Sequence, residues 1–254
     1  MSTLQIGLIL PEVLGTYGDD GNALVLRQRA RMRGIPADIV TVHLGDPVPD
    51  SLDMYCIGGG EDTAQIVAAE YLREDGGLAA AAGKKAPIVA ICAGMQILGR
   101  SFRASGKMVP GLSLLDITTG SLRRRTIGEV SSTPTGEGIT APLTAPLTGF
   151  ENHLGATLLG GDARALGTVM DGVGNCDGHA AEGDSDPERQ TTAEGVVQGS
   201  VIATYMHGPA LARNPQLADL VLARALGIDP AELSGLDMPE VVTLRRERLR
   251  RDDV

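Results

Sequence analysis

The chain has 254 residues, 43% of them apolar, but with four Tyr, two Phe and no Trp its core must be built from Ala, Leu, Val and Ile, with 34 glycines for tight turns and close approaches. This length suits one enzyme-sized globular unit with appendages. A formal charge of −10 sets the average surface against nucleic acid and anionic lipid, no apolar run nears the ~20 residues of a membrane span, and Met1–Ile6 lacks a secretory signal, so a cytoplasmic protein is expected.

Gln5 to Leu10 predicts a strand ending at Pro11, followed by a turn-rich stretch, Gly15-Thr-Tyr-Gly-Asp-Asp-Gly21, and a helix capped by Asn22 that runs to about Arg33, before Gly34. Ala37–Val42 and Met54–Ile57 predict the next strands, the latter running into Gly58-Gly59-Gly60. Thr63–Ala82 predicts one or two helices broken near Gly76-Gly77, and Pro87–Ile91 predicts a strand that delivers Cys92. Strands alternating with helices imply βαβ units, hence an α/β fold with a parallel sheet and ligands at the carboxyl ends of its strands. After Phe102 the texture changes: Thr126–Val130 and Gly195–Tyr205 predict strands, with a Gly-, Pro-, Thr- and Asp-rich stretch between them. That stretch holds a tandem Ala-Pro-Leu-Thr at 141–148, too short for a solenoid, and an acidic, glycine-rich segment, 171–195, expected to be a mobile excursion. Leu244–Arg251 predicts a short basic helix. The division expected is a main domain over 1–230 and a helical tail over 231–254.

The three cysteines, Cys56, Cys92 and Cys176, form no CxxC pair and cannot all pair with one another, so no disulfide framework is expected. Cys92 stands at a strand-to-helix junction among the small residues Ala90, Ala93 and Gly94. A nucleophile on such an elbow needs small neighbours because the backbone turns sharply, and the helix start favours its thiolate. Strand-end cysteines are also commonly buried and inert. A thiolate nucleophile needs a proton shuttle, and four histidines are available. His207, following Val201–Met206 and preceding Gly208-Pro209, falls at another strand end and is the preferred base. His153, bracketed by Gly149 and Gly155, is its competitor; His43 and His179 fit surface positions. Gly58-Gly59-Gly60 fits neither a dinucleotide-binding fingerprint nor a P-loop, and Gly83-Lys84-Lys85 lacks the glycine spacing and hydroxyl of the latter. An oxyanion hole or a plain turn remains for it.

Taken together, Ile57-Gly-Gly-Gly-Glu-Asp62, Ile91-Cys-Ala-Gly-Met-Gln96, Gly149-Phe-Glu-Asn-His153 and Tyr205-Met-His-Gly-Pro209 resemble a class I (triad-type) glutamine amidotransferase of the cobyric acid synthase-like branch, a flavodoxin-like, mostly parallel sheet flanked by helices. Tyr17-Gly-Asp-Asp-Gly-Asn22 and Leu26-Arg-Gln-Arg-Ala30 narrow the resemblance to the glutaminase subunits of lipid II isoglutaminyl synthases, up to about residue 230. It implies Cys92 as nucleophile, His207 as general base and acid, and Gly60 and Ala93 as oxyanion donors. Gln96 would help hold glutamine, and Arg125, beside Arg123 and Arg124, would bind a substrate carboxylate. It further implies a heterodimer with a Mur-ligase-like synthetase that carries ATP and Mg and amidates the D-glutamate of the lipid II stem peptide to D-isoglutamine. This chain would bind L-glutamine and no cofactor of its own. Two departures stand out: Ala90 replaces a common glycine two residues before the cysteine, and Pro209 replaces the glutamate two residues after the histidine. The carboxylate that orients the imidazole is therefore expected from a partner chain or not at all. The rival readings are an amidotransferase for another acid, such as cobyrinate, and a non-catalytic binding module.

Overall fold

In the computed structural model, which describes residues 2–249, the early apolar runs become neighbouring strands. The chain passes through β1 (Leu4–Ile9), α1 (Pro11–Leu14), α2 (Gly21–Arg31), β2 (Ala37–Val42), β3 (Met54–Ile57), α3 (Asp62–Asp75), α4 (Gly77–Gly83), β4 (Ile88–Ile91) and α5 (Ala93–Leu98). It continues through β5 (Ser101–Ala104), β6 (Lys107–Pro110), β7 (Ile117–Pro134), β8 (Leu147–Leu159), β9 (Gly167–Asp171), α6 (Pro187–Thr191), β10 (Ala193–Glu194), β11 (Val196–Gln198) and β12 (Val201–Thr204). It finishes with α7 (Ala210–Arg213), α8 (Pro215–Leu226) and α9 (Pro239–Leu249).

The main sheet has the order β11-β12-β4-β3-β1-β2 and is parallel except for β11, which pairs antiparallel with β12 at the edge. Every residue of β3, β4 and β12 is buried, as expected for parallel strands covered on both faces. Their short runs, Met-Tyr-Cys-Ile, Ile-Val-Ala-Ile and Val-Ile-Ala-Thr, are rich in the β-branched residues that fit a packed pleated surface. Gly76 takes φ +74° to end α3 and start α4, the break predicted there. The start of α2 differs from the expectation. Asp20 is the cap, accepting from Gly21 N–H at 3.0 Å, while Asn22 lies inside the helix, donates to Asp19 O at 2.9 Å and accepts from Leu211 N–H at 2.9 Å.

A second sheet, of order β10-β9-β7-β5-β6 with β8 on β7, is built mostly from the chain after Phe102, where the sequence turns rich in Gly, Pro, Thr and Asp. Where a short strand was predicted at 126–130, β7 extends over 18 residues and pairs antiparallel with β8, with a register shift between Ser121 and Thr126. Its Gly, Ser, Thr and Arg content hid the strand because no residue from Arg123 to Glu129 is buried, so the alternation of buried and open positions is broken in its middle. The excursion expected at 171–195 is instead packed. Asn175, Cys176, Ala181, Gln190 and Glu194 are buried, and the Asn175 side chain both accepts from Gly195 N–H at 2.7 Å and donates to its carbonyl at 2.9 Å. Polar side chains, rather than large apolar ones, do the anchoring there. In the tail, α9 has no buried side chain; Arg250 and Arg251 of the predicted basic run lie outside the described residues. Among the described residues, no helix is long and apolar enough to cross a membrane.

Candidate active site

Four adjacent parallel strands, β12, β4, β3 and β1, end at one edge, and each releases a segment of the site there. β4 delivers Cys92, β12 delivers His207, β3 delivers Gly58-Gly59-Gly60, and the chain after β1 delivers the loop from Gly15 to Asp20. Ile91 pairs with Thr204 and Ile57 with Ala90, and Cys92 N–H donates to Thr204 O at 2.9 Å, so the cysteine and the histidine segment leave the sheet side by side.

Cys92 holds φ +50° and ψ −107° at the start of α5, a backbone that non-glycine residues seldom adopt and that an elbow nucleophile requires. The glycines around it allow the close approach. A Cβ at Gly94 would lie 2.9 Å from Gly58 O, and one at Gly59 would lie 3.3 Å from Cys92 Cβ and 3.1 Å from His207 Cε1. Cys92 and His207 therefore meet across Gly59. Ala90, the first departure, is fully buried in β4, where its methyl is accommodated.

The second departure is resolved within this chain. Asp19 completes the array: His207 Nδ1 lies 2.9 and 3.0 Å from the two Asp19 carboxylate oxygens, both side chains buried. The expectation of a partner-supplied carboxylate, or of none, is thus corrected. The strand after His207 does not need to carry the acid because the loop after β1 folds back over the same edge, and Asp19 Oδ2 also accepts from Gly59 N–H at 2.9 Å. Burial by itself disfavours a charged His207, but the Asp19 carboxylate and, after it, the Cys92 sulfur outweigh burial and push the imidazole up from 6.5 to about 10. Nδ1 is occupied by Asp19, and the buried Nε2 has no oxygen or nitrogen partner, which leaves it to the sulfur. The other two thiols differ in setting: burial pushes both Cys56 and Cys176 up to about 12, with Asp177 and Asp184 adding to the effect at Cys176.

Cys92 opens onto a cavity of about 220 Å³ lined also by Gly60, Ala93, Gln96 and Arg125, so the structure gathers the predicted nucleophile and all four predicted substrate-binding residues around one space, with His207 outside its lining. Of Arg123, Arg124 and Arg125, it is Arg125 that lines the cavity, donating from Nε to Asn152 Oδ1 at 2.8 Å; the Arg123 backbone N–H donates to Asp177 at 2.9 Å. Gln96 is held in a buried chain, accepting from Gln65 Nε2 at 2.6 Å and donating to the Tyr205 hydroxyl at 2.9 Å; that hydroxyl also bonds Thr157 Oγ1 at 2.8 Å. His153 also lines this cavity, but its ring is engaged by other groups. It stacks on Tyr205 at 3.6 Å, its Nδ1–H donates to Gly155 O at 2.8 Å, and Nε2 lies 3.8 Å from Glu151. His43 and His179 are exposed beside Glu12 and Glu182. Sequence reasoning missed Asp19, although its signal was present: an acid among glycines just past the first strand, in the motif Tyr17–Asn22.

Residues 5–215 match the model of the CobB/CobQ-like glutamine amidotransferase domain. The chain belongs to the CobB/CobQ-like glutamine amidotransferase family. It is 32% identical over 228 residues to a Staphylococcus aureus protein named lipid II isoglutaminyl synthase (glutamine-hydrolyzing) subunit GatD, covering 89% of this chain and 85% of that one. The Streptococcus pneumoniae protein of the same name is 31% identical over 238 residues, covering 88% and 80%. Among solved structures, a glutamine amidotransferase from Thermotoga maritima superposes with a TM-score of 0.54 at 13% identity, over 98% of this chain and 94% of that one, which shows the shared fold. This amidotransferase is a glutamine-hydrolysing enzyme, with the mostly parallel, helix-flanked main sheet of class I relatives.

The amidotransferase depends on the glycine turn for its shape. In Gly58→Ala the new Cβ would lie 1.9 Å from Leu14 O and 3.0 Å from Asp19 Cβ, a backbone collision that cannot relax by a rotamer change. A loss of about 2–3 kcal/mol is expected, read as a lower melting temperature together with lost activity. An unchanged melting temperature would contradict this packing.

Proposed function

We propose that this amidotransferase is the glutaminase subunit of a lipid II isoglutaminyl synthase, with Cys92, His207 and Asp19 as its catalytic array. The observation that carries the chemistry is the meeting of Cys92 and Asp19-held His207 across Gly59, at the mouth of a cavity lined by Arg125. An imidazole pushed up to about 10 carries its proton at neutral pH, with the Cys92 sulfur beside it.

In this reading the Arg125 guanidinium receives the α-carboxylate of L-glutamine, with Gln96 lining the same space. The Cys92 sulfur attacks the side-chain amide carbon, and the carbonyl becomes an oxyanion facing the backbone N–H groups of Gly60 and Ala93. His207 gives its Nε2 proton to the departing nitrogen, so the C–N bond breaks, ammonia leaves and a γ-glutamyl thioester remains. The neutral imidazole then takes a proton from water as the oxygen attacks the thioester. Glutamate departs, and the thiolate and imidazolium are restored. Asp19 fixes the ring so that Nε2 carries both transfers.

Ammonia released into bulk water would be protonated and lost as a nucleophile, so its use requires delivery to an activated acid. The two relatives are named as subunits of a lipid II isoglutaminyl synthase, which supports a partner subunit and lipid II as the acceptor; in our reading that partner is a Mur-ligase-like synthetase carrying ATP and Mg, and the D-glutamate of the stem peptide is amidated in a cytoplasmic heterodimer. The test is reconstitution. With that synthetase, ATP, Mg and lipid II, amidation at low ammonium should need L-glutamine and this chain, and high ammonium should bypass both. Amidation that proceeds from glutamine without this chain, or transfer to a corrinoid acid instead, would overturn the reading.

A further inference from the structure

Tyr17 has no part in the steps above, yet it stands between groups those steps use. Its backbone holds φ +66°, a left-handed conformation that is uncommon for a bulky residue, and Gly18 follows at φ +73°. The loop is pinned on both sides: Thr16 N–H donates to Gly59 O at 3.2 Å, and Asp19 accepts from Gly59 N–H at 2.9 Å. The Tyr17 ring meets the His207 imidazole edge-on, with centroids 4.9 Å apart and planes at 60°. Arg125 Nη2 donates to its hydroxyl at 3.4 Å, while Asn152 holds Arg125 Nε. The side chain remains 44% exposed and lines the cavity, so burial of apolar area does not account for its strained placement.

We propose that Tyr17 is the positioning residue that sets the glutamine site's specificity. Its ring fixes the spacing between Arg125 and the Cys92–His207 pair, and its hydroxyl orients the guanidinium so that the remaining N–H groups of Arg125 face an α-carboxylate. The proposal rests on the glutaminase reading and adds the residue that matches an amino-acid carboxylate to the reacting sulfur. Substrates lacking that carboxylate gain nothing from Tyr17.

The test compares full-length wild type, Tyr17→Phe and Tyr17→Ala in two assays: hydrolysis of L-glutamine, and alkylation of Cys92 by iodoacetamide, which carries no carboxylate. Tyr17→Phe should raise KM about fivefold, the worth of one weak hydrogen bond to a charged group, with kcat and the alkylation rate held at wild-type values. Tyr17→Ala should raise KM further and speed alkylation, because the ring no longer packs on His207 or fills the cavity onto which Cys92 opens. Unchanged KM in both variants, or a fall in kcat at constant KM with a lowered melting temperature, would overturn the assignment. Wild-type chain whose Cys92 is alkylated but which hydrolyses no glutamine would instead overturn the glutaminase reading, and the Tyr17 assignment with it.

Discussion

Replacing Cys92 by Ala should reduce glutamate release from L-glutamine by about 10⁵-fold or to background, because no other group on the chain can form the thioester. The protein should stay folded. Alanine keeps the Cβ, and the elbow backbone at φ +50° is held by the Cys92 N–H bond to Thr204 O and by the seating of Gly94 on Gly58. Cys56 and Cys176 cannot substitute, since both are buried thiols pushed up to about 12. Steady-state hydrolysis together with thermal melting checks this. A variant that retains a hundredth of wild-type activity, or that unfolds, would show that the sulfur is not the nucleophile or that its role is in packing.

The second large effect is at Asp19. In Asp19→Asn the imidazole loses the carboxylate that most raises it, and Gly59 loses a charged acceptor. An amide can also present its NH₂ group to Nδ1 and so favour the wrong tautomer. A loss of about 10³-fold in kcat is expected, by comparison with orienting carboxylates in other triads. The pH profile should change as well. His207 serves while protonated, so the alkaline limb of kcat/KM in wild type falls near 10 and should move toward neutrality in the variant. The stability linkage has the same sign. With its folded value raised above 6.5, His207 contributes stability that is fully present below that pH and is lost as pH rises through about 10. Asp19→Asn should therefore destabilise the protein most below about pH 6.5, progressively less as pH rises toward 10, and by this term not at all above it. A limb that stays in place, with kcat within about tenfold of wild type, would contradict the assignment of Asp19.

Much of the main sheet was legible because β1, β3 and β4 are short, largely apolar runs closed by Pro11, Gly58 and the Cys92 elbow, a pattern that suits buried parallel strands. Cys92 and His207 were legible for the same reason: each follows such a strand directly. The β7–β8 hairpin was not, since Ile117–Pro134 spreads Thr, Gly, Ser and Arg over a strand whose middle, Arg123 to Glu129, is not buried, and its pairing partners on β8 lie beyond an intervening loop. Asp19 escaped because its relation to His207 spans 188 residues, and a loop acid flanked by Gly18 and Asp20 looks locally like turn chemistry. The packed segment 171–195 escaped because its anchors, Asn175, Gln190 and Glu194, are polar residues whose burial depends on partners elsewhere in the fold.

In the proposed reaction one sulfur attacks a glutamine side chain held by its α-carboxylate. The most direct measurement is peptide mapping by mass spectrometry of full-length protein treated with an electrophilic glutamine analogue that keeps the α-amino and α-carboxyl groups. One adduct per chain is expected, on the peptide containing Cys92, formed more slowly in the presence of L-glutamine and in Arg125→Ala. Labelling at Cys56 or Cys176, or glutamine hydrolysis that continues while Cys92 carries the adduct, would contradict it.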